Sequence, residues 1–179
     1  MPDVWGLCLC KGTVSQMLSK GIGSMTTMNN SLPKGTSDEH YTPKTIFDAL
    51  GLTFDLDPCS PGKDQSFVPA RKHYTKQDNG LSKQWHGLVW MNPPYSAPRP
   101  WVEKFINHKN GLALLPITRG SWWDGLWQYA EAVCPTTYNM KFVRPDGMPS
   151  KPIVFRTAIF SFGDTATAAL QQSGLGRVR

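Results

Sequence analysis

The chain has 179 residues, enough for one domain with a sizeable core, and carries a formal net charge of +6 with a sequence pI near 9.2. No apolar run is long enough to cross a membrane, and Met1 to Met17 lacks the basic start and long apolar stretch of a secretory signal, so a cytoplasmic protein is expected. Cys8, Cys10, Cys59 and Cys134 are scattered, with no Cys or His pair to complete a zinc site, so reduced thiols and no metal are expected, while the basic balance suits a polyanionic partner such as nucleic acid.

Residues 1–37 show neither a helical nor a strand period, and Gly, Ser, Thr, Met and Asn dominate them; they read as a flexible N-terminal extension, with Met25 and Met28 as alternative starts. Thr42 suits an N-cap, Pro43 the first helical position and Gly51 the stop of a short helix with Ile46, Phe47 and Leu50 on one face. Thr53 to Ser60 reads as a strand ending in Asp57 and a turn. Leu88-Val89-Trp90-Met91 is an apolar run with the character of a buried strand. Pro98-Arg99-Pro100 opens a helix whose Trp101, Val102, Phe105 and Ile106 form one apolar face. Gly111 to Pro116 is the next buried parallel strand, and Arg119 at its end falls on the same sheet edge as Asn92. Ser121-Trp122-Trp123-Asp124 has capping-box spacing and begins a helix to about Ala130, on which Trp123 and Trp127 should pack a core face. Strands are expected over 136–140 and 153–162, with a turn at Asp146-Gly147, and the residues after Asp164 read as a frayed tail. This alternation of strand and helix argues an α/β fold with a mainly parallel sheet.

The chemistry concentrates at Asn92-Pro93-Pro94-Tyr95. Two prolines cannot continue a strand, so a rigid turn stands at a strand's C-terminal end, where ligands bind in open α/β sheets. The Asn92 side-chain oxygen and the Pro93 carbonyl are two acceptors suited to a planar –NH2 group, and the Tyr95 ring can stack on a planar heterocycle. Together they describe a clamp for the exocyclic amine of a nucleobase.

Asn-Pro-Pro-Tyr looks like the catalytic motif of amino-methyltransferases that use S-adenosyl-L-methionine. The ordered set Tyr41-Thr42-Pro43, Phe54-Asp55-Leu56-Asp57, Asp78-Asn79-Gly80-Leu81 followed by Trp85, and Asn92-Pro93-Pro94-Tyr95-Ser96 resembles the phage-type DNA N-6-adenine-methyltransferases, or phage Dam family, from about Glu39 to Phe162. The resemblance implies an abbreviated Rossmann-like S-adenosyl-L-methionine-dependent methyltransferase fold, with residues 38–163 as the catalytic domain and 164–179 as a flexible tail. It implies DNA as partner, no membrane, and methylation of the adenine N6 amine by a phage or prophage enzyme working in the bacterial host cytoplasm. It also implies that Tyr41, Thr42 and Pro43 lie near the methionine part of the cofactor, that Asp57, Pro58 and Cys59 form the cofactor turn, and that Asp78 sits beside its adenine. Asn92, Pro93, Pro94 and Tyr95 would be catalytic, with Tyr95, Ser96 and Arg119 at the substrate.

The sequence departs from larger methyltransferases in one respect. Asp57 is followed by Pro58-Cys59-Ser60-Pro61-Gly62, with a single glycine where several are usual, and the stretch to Asp78 is short, so the cofactor half of the sheet is expected to be abbreviated. The clamp specifies an amine and not a base. Cytosine N4, a protein glutamine amide and a noncatalytic DNA-binding relative remain alternatives on the residues alone, and the family resemblance favours adenine.

Overall fold

A computed structural model describes residues 40–118, 120–136, 140–144, 147–150 and 155–179. The expectations for residues 1–37, for Arg119 and Asp146, and for most of the strand proposed over 136–140 lie outside the described residues, as does the start of the strand proposed over 153–162. The elements in chain order are α1 (Lys44–Leu50), β1 (Phe54–Asp57), β2 (Ala70–His73), β3 (Val89–Met91), α2 (Arg99–His108), β4 (Gly111–Pro116), α3 (Ser121–Tyr129), β5 (Ala132–Pro135), β6 (Thr157–Phe162) and α4 (Asp164–Gln172). No helix among the described residues is long and apolar enough to cross a membrane.

The strands form one six-stranded sheet in the order β2-β1-β3-β4-β6-β5. The pairs β1–β2, β1–β3 and β3–β4 are parallel, and β6 runs antiparallel to both β4 and β5. The sheet is therefore mainly parallel, as expected. From β1 the chain steps outward to β2, whereas from β3 it steps the other way to β4. The connections diverge between β1 and β3, which opens a crevice at the C-terminal ends of those two strands.

Helices cover both faces of the sheet, which is why β3, β4 and β6 are apolar without alternation. Ile46, Phe47 and Leu50 of α1 pack with Ala166 and Leu170 of α4 on Trp90, Leu112, Leu114 and Ile159. Val102 and Phe105 of α2 and Leu126 of α3 pack on Val89, Met91, Ala113, Leu115 and Phe160 of the opposite face. Phe47 meets Trp90 edge to face at a centroid distance of 4.8 Å, and such a contact contributes about 0.5–1.5 kcal/mol beyond burial. This contact seats α1, and with it residues 40–43, over the end of β3.

Several local expectations are corrected. The N-cap of α1 is Pro43 without a side-chain cap, so Thr42 is not the cap; its hydroxyl serves Asn92 instead. Gly51 does end the helix, in the left-handed region at φ 62° with its N–H on the Phe47 carbonyl. Ser121 is inside α3 behind Gly120, and no capping box forms, because its hydroxyl accepts from Arg99 at 2.6 Å. Trp127 is exposed and stacks on Trp123, while Trp123 itself meets Phe160, so only one of the two faces the core. A strand that the sequence did not announce, β5, occupies Ala132–Pro135.

The tail expected after Asp164 is a helix. Ala166 and Leu170 are fully buried against the α1 face of the sheet, so the ordering of α4 is driven by tertiary burial and not by a strong local signal. Beyond α4 the backbone of Arg179 exchanges hydrogen bonds with Val133 at 2.8 and 3.0 Å, which covers the β5 edge. The strand β2, which no apolar pattern announced, forms the other edge with Arg71 and Lys72 exposed.

Because Leu170 is completely buried, Leu170→Ala should lower unfolding stability by about 2–5 kcal/mol. Urea titration followed by circular dichroism measures this; a change below about 0.5 kcal/mol, the surface-substitution range, would restore the frayed-tail reading.

Candidate active site

The crevice between β1 and β3 opens into a cavity of about 530 Å³. It is lined by His40, Tyr41 and Thr42 ahead of α1, by Asp57 to Pro61 after β1, by 65–68 before β2, by Thr75 to Gln77 with Asn79 and Gly80 after β2, and by Trp90, Asn92, Pro94 and Trp101. Its size suits a small-molecule cofactor or a nucleotide.

Asn92 follows the last residue of β3, and its amide is oriented by the segment that leads into α1. Nδ2 donates to the His40 carbonyl at 2.7 Å and to Thr42 Oγ1 at 3.3 Å. These two acceptors settle which end of the amide carries the nitrogen. The oxygen, Oδ1, is buried and has no hydrogen-bond partner among the described residues. A buried acceptor left unpaired costs about 1–3 kcal/mol, so this oxygen calls for a donor that the described residues do not provide. The segment carrying His40 and Thr42 is held in turn by paired backbone bonds between Tyr41 and Val143, at 3.0 and 2.9 Å.

The crossover from β1 to β2 contains no helix and is stitched by side chains. Buried Asp57 accepts the Cys59 N–H on Oδ1 at 3.1 Å and faces the Ser66 hydroxyl across 3.5 Å on Oδ2. Ser66 Oγ accepts the Val68 N–H at 3.1 Å. A second chain runs from the Gly62 N–H to Ser60 Oγ at 3.1 Å, from Ser60 to His73 Nδ1 at 2.9 Å, and from His73 Nε2 to the Ala70 carbonyl at 3.1 Å. Burial and the Asp57 carboxylate push the Cys59 thiol well above its ordinary range, so it is a packing group and not a nucleophile.

The opposite wall depends on Gly80. A Cβ there would stand 2.1 Å from the Pro58 carbonyl oxygen, so only glycine allows the two turns to touch. Trp85 Nε1 donates to the Gly80 carbonyl at 2.8 Å, and Lys104 Nζ donates to the Leu81 carbonyl at 2.6 Å, tying this turn to α2. Asn79 beside it is left-handed at φ 55°.

The sequence-predicted residues divide into two groups. Tyr41, Thr42, Asp57, Pro58, Cys59, Asn92 and Pro94 all line the cavity. Pro43 lines a separate apolar hollow beside Ile46 and Met140. Asp78 is exposed and outside the lining; its carboxylate accepts from Thr75 N at 2.8 Å and Thr75 Oγ1 at 2.7 Å, and these bonds lower its pKa. It shapes the turn whose neighbours reach the cavity. Pro93 is buried, and Ser96 is exposed beyond the lining. Arg119 lies outside the described residues.

Tyr95 is 4% exposed and does not line the cavity. Its ring lies 5.9 Å from that of His40 and 5.6 Å from that of Phe155, and its hydroxyl is buried without a partner among the described residues. Burial pushes the phenol far above its usual pKa, so it stays protonated. Residues that motif reasoning passed over include Ser60, Ser66, Trp101 and His40; only the divergence of β1 and β3 brings them together.

Comparison with known proteins identifies the family. Residues 29–152 match the family of DNA N-6-adenine-methyltransferases (Dam). The chain is 32% identical over 111 residues to the DNA N-6-adenine-methyltransferase of Haemophilus phage HP1 (strain HP1c1), covering 56% of this chain and 62% of that protein. It is 28% identical over 113 residues to the DNA N-6-adenine-methyltransferase of Escherichia phage T1, covering 58% of this chain and 46% of that one. The matched region thus spans less than two thirds of either relative. No solved structure matches. The chain belongs to the DNA N-6-adenine-methyltransferase (Dam) family.

Two substitutions check the geometry. Gly80→Ala should destabilise the fold by about 1–3 kcal/mol, the range for overpacking, because the Pro58 carbonyl must move; an unchanged urea midpoint would contradict that contact. Tyr95→Phe removes a buried hydroxyl that has no partner among the described residues, so thermal unfolding should show equal or higher stability, within about 1 kcal/mol; a loss above that would show that the hydroxyl is bonded.

Proposed function

We propose that this member of the Dam family is a site-specific DNA methyltransferase that transfers a methyl group from S-adenosyl-L-methionine to the N6 amine of adenine. The observation that carries the reading is Asn92: its two N–H bonds are occupied, its buried oxygen has no partner among the described residues, and the residue lines a ligand-sized cavity at the sheet's point of divergence. The two relatives are named for that activity and come from phages, which supports a phage or prophage enzyme acting in the host cytoplasm. The net charge of +6 favours a DNA partner. The mainly parallel sheet, its reversal between β1 and β3, and the helix-free crossover are consistent with an abbreviated Rossmann-like methyltransferase fold.

The cavity residues fit the cofactor. Tyr41, Thr42, Asp57, Pro58, Cys59 and the turn at Thr75 to Gly80 would hold it, with Asp78 acting through that turn. When bound, S-adenosyl-L-methionine supplies a methyl group on a positively charged sulfur. Asn92 Oδ1 would accept one hydrogen of the target amine, and the Pro93 carbonyl the other. As the amine nitrogen bonds the methyl carbon, the carbon–sulfur bond would break to leave a neutral thioether, and the nitrogen would gain positive charge that is lost when one amine proton leaves to solvent; a fixed acceptor beside it would favour this transition state over the ground state. An amide cannot ionise, so Asn92 orients the amine and is not a general base. The target base must leave the duplex, at a cost of a few kcal/mol, and stacking on Tyr95 would return about 1–3 kcal/mol. That stacking requires His40 or Phe155 to move off the Tyr95 ring.

Incubation with tritiated S-adenosyl-L-methionine and duplex DNA, followed by nucleoside chromatography, should find the label in N6-methyladenine. Label in N4-methylcytosine or in protein, or none in DNA, would overturn the reading. Asn92→Ala should keep cofactor binding and lose about 100-fold or more in transfer rate, as when one oriented polar group is removed from a reacting centre. Single-turnover kinetics with calorimetric binding separates the two effects, and wild-type turnover by the variant would exclude Asn92 from the reaction.

A further inference from the structure

We infer that His73 is a positioning residue for the cofactor, a role that rests on the function proposed above. The pairing of Asp57 with His73 across the parallel strands β1 and β2 brings the imidazole under the cavity floor, with its side chain 9% exposed. Nε2 donates to the Ala70 carbonyl at 3.1 Å, and Nδ1 bonds the Ser60 hydroxyl at 2.9 Å and stands 3.8 Å from Asp57 Oδ2. Ser60 Oγ also accepts the Gly62 N–H at 3.1 Å. The chain links the Gly62 amide through Ser60 and His73 to the Ala70 carbonyl, with the Asp57 carboxylate beside the ring. It fixes the turn after β1, which lines the cavity where larger methyltransferases place a glycine-rich loop. The crossover has no helix to anchor that turn, so its conformation depends on side chains. Ser60 is 5% exposed, and without His73 its hydroxyl would lose its ring partner inside a buried site. His73 itself does not line the cavity, so its effect passes through Ser60.

The experiment compares His73→Leu, His73→Asn, Ser60→Ala and the Ser60→Ala/His73→Leu pair for S-adenosyl-L-methionine binding by calorimetry and for steady-state methylation of DNA. His73→Leu should raise the cofactor Kd and KM about tenfold, the scale of one oriented hydrogen bond, with kcat at saturating cofactor within about twofold of wild type. Asparagine can place either an acceptor or a donor near the Nδ1 position, so His73→Asn should stay within about threefold of the wild-type Kd. Ser60→Ala should match His73→Leu, and the double variant should be no worse than either single one, because both remove the same link. Wild-type affinity in His73→Leu, equal losses in the Asn and Leu variants, or additive losses in the pair would overturn the role. A loss that falls on kcat at saturation would overturn it as well. If His73→Leu shows no cooperative unfolding transition, Ser60→Ala decides, and unchanged affinity there refutes the link. A wild-type protein that binds the cofactor without methylating DNA removes the proposed reaction and leaves this test intact, whereas one that does not bind it removes both.

Discussion

The orientation of one amide governs the site. Asn92 sits at the end of β3, yet the groups that turn its side chain, the His40 carbonyl and the Thr42 hydroxyl, lie 52 and 50 residues earlier. They reach it because α1 is docked on the sheet through Phe47 and Trp90, and Trp90 stands two residues before Asn92 on the same strand. A core contact between aromatic rings and the orientation of a polar group at the cavity are thus one mechanical unit. Loosening α1 would release the two acceptors and let the amide rotate. The buried oxygen would then be exchangeable with the nitrogen, and the site would no longer distinguish a donor from an acceptor.

The cofactor half of the sheet meets a different constraint. Two parallel strands usually need a helical crossover, and β1 and β2 are joined without one. Such a segment must find partners for its backbone elsewhere. Asp57, Ser60, Ser66 and His73 provide them: each accepts from a backbone amide or bonds a group that does. The same residues bring the turn against the cavity, where the Pro58 carbonyl meets Gly80. The helix-free crossover and the wall of the cavity are therefore built by the same side chains.

What could be read from the chain follows from the range of the interactions involved. The strands at 88–91 and 111–116 were legible because burial on both faces demands continuous apolar residues, and the helix after Pro98 because proline and an apolar stripe mark it. The Asn-Pro-Pro-Tyr turn was legible because prolines end strands. Ala70-Arg-Lys-His73 was not, since an edge strand carries charges to water and is defined by its neighbour. Nor was α4, whose buried stripe is only Ala166 and Leu170. The Ser60–His73 bond joins residues 13 apart that meet only after β1 and β2 pair. Asp78 shows the reverse case: its motif was visible, but its carboxylate is occupied by Thr75.

Tyr95 defines the state of the site. The Tyr95 ring lies against His40 and Phe155, with its hydroxyl unpartnered among the described residues. Leaving a buried hydroxyl unsatisfied costs about 1–3 kcal/mol, so this arrangement is held by ring packing against an opposing polar cost. His40 takes part on both sides, since its carbonyl orients Asn92 while its ring covers Tyr95 and meets Phe142 at a centroid distance of 5.5 Å. Backbone and side chain of one residue thus serve two neighbours, so the packing that buries Tyr95 and the bond that aims the Asn92 amide are anchored at the same position in the chain.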